Sequence, residues 1–109
     1  MKYKHFAFIE VGSDSKELMC PCCNDGNCRL TQYRVEVYDD SPHYPENGGS
    51  CLVTQYGNVS STDTSNNPNP KRDSVVIRFV CDNCGQLKPV LVISRTAEDS
   101  TKIQWMIAE

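Results

Sequence analysis

Two short cysteine clusters, Cys20-Pro21-Cys22-Cys23 and Cys81-Asp82-Asn83-Cys84-Gly85, constrain this chain more than anything else in it. Each contains a C-x-x-C, whose two thiolates can grip one ion from a single tight turn. Two such pairs supply the ligands of a tetrahedral four-thiolate zinc site. The local residues suit that turn. The position after the second thiolate favours positive φ, and Gly85 and Asn24 stand there. Pro21 fixes φ and removes a donor where the chain must curl. Other uses of the thiols fit less well. Seven cysteines is an odd number for a disulfide framework, and no secretory pattern accompanies them. A redox dithiol needs a βαβ setting, and no helical periodicity flanks either cluster. The fold is therefore expected to bring two distant hooks to one point.

The hooks resemble the knuckles of the zinc ribbon family, which run C-P-x-C-G and C-x-x-C-G. The match covers residues 20–24 and 81–85 alone, so it describes a site type. The resemblance implies Cys20, Cys23, Cys81 and Cys84 as ligands of Zn2+. Asn24 replaces the usual glycine, and Cys22 adds a thiol that could substitute for Cys23. Iron on the same ligands is the alternative, since two C-x-x-C pairs also resemble rubredoxin; the long spacer and polar loop fit that family poorly. Cys28 and Cys51 are expected as small buried hydrophobes.

A chain of 109 residues is expected to form one domain. Its patterning predicts a mainly β fold: a small antiparallel sheet built around the four-cysteine site, with a long mobile loop. Alternating apolar residues predict strands over 3–11, 30–38, 50–56, 75–81, 90–94 and 102–108, the last with a terminal helix as the alternative. On 30–38, Thr31, Tyr33, Val35 and Val37 are expected to face inward, with Gln32, Arg34 and Glu36 outward. The strand at 75–81 runs into the second hook, and 90–94 is expected to return as its antiparallel partner. Residues 57–74 are almost all small, polar or proline; with so few apolar groups to offset ordering entropy, they are expected as a flexible loop.

The formal charge is −3. Four thiolates and one divalent zinc would take it to about −5. General attraction to phosphate backbones is therefore weak. No phosphate-cradling loop, nucleophile elbow or HExxH occurs, and four thiolates would close a zinc site to substrate. The expectation is a non-enzymatic zinc-binding module that meets a protein partner. A nucleic-acid-binding ribbon is the alternative, and Arg34, Lys71, Arg72, Arg78 and Arg95 are the candidate contacts to nucleic acid or to a partner. No run is long enough to span a bilayer as a helix. The apolar part of residues 1–10 is too short for a signal segment, so the expected compartment is the reducing cytoplasm, with no membrane contact.

Overall fold

A computed structural model describes residues 2–4, 8–11, 15–22, 29–39, 49–70, 72–85, 87–96, 98 and 100–108. The described residues are mainly β and contain no helix. Nine strands run β1 (Lys2–Lys4), β2 (Phe8–Val11), β3 (Ser15–Leu18), β4 (Leu30–Asp39), β5 (Ser50–Gln55), β6 (Asn58–Thr62), β7 (Ser74–Cys81), β8 (Pro89–Arg95) and β9 (Thr101–Ile107). Seven form one antiparallel sheet in the order β1-β9-β8-β7-β4-β5-β6, and β2 pairs with β3 as a separate hairpin. The strand most strongly marked in the sequence, β7, lies at the centre, with β4 on one side and β8 on the other. The return strand at 90–94 is indeed its partner, with Val76 opposite Val92. The chain closes as strand β9.

Two expectations about where the strands lie need correction. The single strand over 3–11 is divided: β1 joins the main sheet beside β9, while β2 folds back on β3. β2 pairs antiparallel with β3 over four residues, from Phe8 opposite Leu18 to Val11 opposite Ser15, so it has a partner close in sequence and outside the main sheet. The second correction falls in 57–74, where residues 58–62 are strand β6 rather than loop. The connection after β6 is tied by polar side chains. Buried Asn67 donates from Nδ2 to the Arg72 carbonyl at 3.0 Å, and its Oδ1 accepts from the Ser74 hydroxyl at 2.6 Å and the Asn69 amide at 3.2 Å.

Because successive strand residues point to opposite faces, the register sorts the core into two layers. One face buries Tyr38, Cys51, Val53, Val76, Val90, Val92 and Met106. The other buries Phe79, Leu91 and Trp105, with the rings of Phe79 and Trp105 edge to face at 5.6 Å between centroids. Leu18 and Met19, at the exit of β3, pack against this second layer, as do Leu30 and Ile77. That contact leads the chain straight to the first cysteine hook.

Candidate metal centre

Cys20 follows Met19 off the Trp105 layer and is fully buried, as is Pro21 beside it. Cys81 ends β7, also fully buried, and Cys84 lies one turn further on. The Sγ atoms of Cys20, Cys81 and Cys84 all lie within 4.8 Å of one another, and Cys20 and Cys84 are 3.9 Å apart. Thiolates around a tetrahedral zinc, each about 2.3 Å from the metal, sit about 3.8 Å apart. A disulfide would need about 2.05 Å. The spacing fits a shared ion.

The second hook has the backbone that this chemistry needs. The Gly85 amide donates to the Cys81 carbonyl at 2.8 Å, and Gly85 takes φ +66°, a conformation open to glycine at little cost. The tip is fastened to the start of β4: the Asp82 amide donates to the Arg29 carbonyl at 3.0 Å, and the Arg29 amide to Asp82 Oδ1 at 2.5 Å. Burial on its own would push the Cys81 thiol up. The amides of Cys84 and Asn83, together with the thiols of Cys84 and Cys20, outweigh it and hold Cys81 at about 7. The site thus favours thiolate, the form in which cysteine binds metal.

Of the thiols expected as ligands, Cys20, Cys81 and Cys84 converge. Cys22 is half-buried on the first turn and does not stand in this cluster. Cys23 and Cys28 lie outside the described residues. Cys51 is a buried core residue, its thiol pushed up by burial.

The basic residues do not form one patch. Arg34 and Arg78 are cross-strand neighbours, and both turn to Glu36: Arg78 Nε donates to Glu36 Oε2 at 2.6 Å, and Arg34 Nε lies 3.3 Å from the same oxygen. Arg34 also donates to Gln55 Oε1 at 2.6 Å. Arg95 stands at the opposite end of the sheet, opposite Thr101. Arg72 is half-buried, and Lys71 lies outside the described residues.

Glu36 was expected to face outward, yet it is 3 % exposed. Burial would raise its pKa, but hydrogen bonds from Arg78 and Tyr38 and the charges of Arg78 and Arg34 bring it below the usual carboxylate range. The Tyr38 hydroxyl donates to Glu36 Oε1 at 2.7 Å, and burial with that carboxylate holds its own pKa well above the ordinary phenol value. The sequence signal for this network was the i, i+2, i+4 spacing of Arg34, Glu36 and Tyr38 on one strand face.

No protein-family profile, curated protein or solved structure matches this chain.

Proposed function

We propose that this chain is a small structural zinc module in which Cys20, Cys81 and Cys84, with Cys23 as the fourth thiolate, hold one Zn2+ in a ribbon-like site, and that it serves as an accessory or regulatory factor by binding a protein partner. The observation that carries the metal assignment is the convergence of three thiols from opposite parts of the chain to within 4.8 Å. Cysteines so placed without an ion would set partial thiolates against one another. A divalent ion removes that repulsion and converts the cluster into a cross-link. The zinc supplies folding energy and no chemistry, and the module is not an enzyme.

The surface favours a protein partner over a nucleic acid. Val37, Leu52, Val59 and Ile103 are exposed on the sheet, whereas Arg34 and Arg78 are engaged by Glu36. Elemental analysis of the native protein tests the metal, with one zinc per chain expected. A red, iron-loaded protein would instead support an electron carrier, and a folded protein free of metal would remove the reading. Oligonucleotides at low salt are expected to produce no shift, while pull-down from host lysate is expected to recover a stoichiometric protein partner.

A further inference from the structure

The outer strand β6 is all exposed and ends the sheet, so among the described residues one row of its backbone groups has no neighbouring strand. The hairpin that makes it identifies the row. Gln55 pairs with Asn58 across a two-residue turn in which Tyr56 has φ +49° and Gly57 φ +82°. Positive φ at both positions is the type I′ geometry, which makes the flanking pair a hydrogen-bonded one. Such pairs alternate along an antiparallel ladder. Asn58, Ser60 and Thr62 therefore turn their N–H and C=O groups to β5, while Val59 and Ser61 turn theirs outward.

Natural sheets blunt such an edge with charge, proline or a bulge. The sequence of β6, Asn-Val-Ser-Ser-Thr, has neither charge nor proline, and its register with β5 is unbroken. At the other end of the sheet, β1 is only three residues long. The open groups of β6 are also self-complementary. Val59 and Ser61 are placed symmetrically about Ser60, so an antiparallel copy of the same strand presents the same spacing.

We propose that β6 is a self-association edge, at which two copies of this chain pair antiparallel about a two-fold axis through Ser60. Val59 of one copy meets Ser61 of the other, giving about four main-chain hydrogen bonds across the axis. Ser60 faces its own counterpart in the close, non-bonded position. No like charges oppose one another, because the strand carries none. The apolar row continues across the junction as well. Leu52 is opposite Ser61 and Thr54 opposite Val59, so exposed Leu52 and Val59 of both copies fall on one face of the joined sheet. The inference stands apart from the metal reading and uses none of its residues.

Sedimentation equilibrium on the intact, metal-replete protein tests it, joined to amide exchange. The mass is expected to double with rising concentration while the Val59 and Ser61 amides gain protection. Ser61→Pro removes one outward N–H and no bond to β5, and should return the protein to monomer with its melt little changed. Ser60→Cys places two thiols across the axis at the separation a disulfide needs. It should cross-link at least about tenfold faster than Asn58→Cys, which is on the same face but displaced from the axis. A monomer at all concentrations overturns the proposal. So does a dimer in which Ser60→Cys gains nothing over Asn58→Cys; that result would assign association to the sheet face. Protection of β6 only when an extended peptide from another protein is added also overturns it.

Discussion

Glu36 shows how much a single side chain on a strand can decide. A carboxylate at 3 % exposure survives only because Arg78, Arg34 and Tyr38 direct donors at it. Replacing it with alanine leaves two partly exposed guanidinium groups that water can reach, so the cost should fall near the low end for a broken buried pair. We expect Glu36→Ala to lower stability by about 2–3 kcal/mol, read from denaturant midpoints. The pH dependence follows from the depressed pKa. This carboxylate contributes fully above its unfolded value, and the contribution is lost as pH falls through the lower folded value. The gap between wild type and Glu36→Gln should therefore be widest above about pH 5 and should narrow towards pH 3. A gap that stays constant would mean that the carboxylate's charge contributes nothing. At the hooks, the cluster holds Cys20, Cys81 and Cys84 and, among the described thiols, leaves out Cys22. Cys81→Ser is expected to abolish metal binding and lower the melt, whereas Cys22→Ser should retain the metal, read by elemental analysis of each variant. Cys20, Cys81 and Cys84 were legible in the sequence because C-x-x-C states its own geometry. That Cys22 stands apart from them was not, because C-P-C-C offers two thiols at nearly the same spacing from Cys20.

Strands buried on one or both faces by β-branched and aromatic residues, such as β7, β8 and β9, are visible from alternation alone. Two elements defeat that signal for opposite reasons. On β4 the alternation is present, but its sense is reversed: Glu36 and Tyr38 face the core while Val37 is 43 % exposed. Hydropathy could not rank a carboxylate inward without the arginine on β7 that accompanies it. A register shift between Gln32 and Arg34 breaks the phase further. β6 has no hydropathic period because neither of its faces is covered; its register comes from β5 and the turn. That turn can be tested without disturbing packing. A Cβ on Gly57 would meet no atom within 4 Å, so Gly57→Ala isolates the cost of φ +82°. We expect a loss of about 1 kcal/mol and faster amide exchange in β6, read from the melt and from exchange rates. The connection after β6 depends instead on Asn67, whose side-chain hydrogen bonds to Arg72, Asn69 and Ser74 stand in for the apolar anchors this stretch lacks. Asn67→Ala should cost about 2 kcal/mol and open residues 63–73 to protease.

Over the whole molecule, the two core layers are connected to the cysteine hooks to different extents. The layer of Tyr38, Cys51, Val53, Val76, Val90, Val92 and Met106 is drawn from β4, β5, β7, β8 and β9, and contains none of the clustered thiols. The layer of Phe79, Leu91 and Trp105 is partly covered by Leu18 and Met19, which lead directly into Cys20. An ion joining Cys20 to Cys81 and Cys84 therefore holds the β2–β3 side of the chain over Trp105, while the central sheet has its own reasons to persist. Removing the metal should then produce local rather than global opening. With a chelator present, Trp105 emission is expected to shift to the red and the amides of β2 and β3 to lose protection. Those of β4, β7 and β8 should remain protected, and most of the far-ultraviolet β signal should survive. Restoring zinc should reverse each change. If chelation instead removed protection from β7 as fast as from β3, the ion would be a condition for the whole sheet, and the Tyr38–Val76 layer could not be the independent core that its composition makes it.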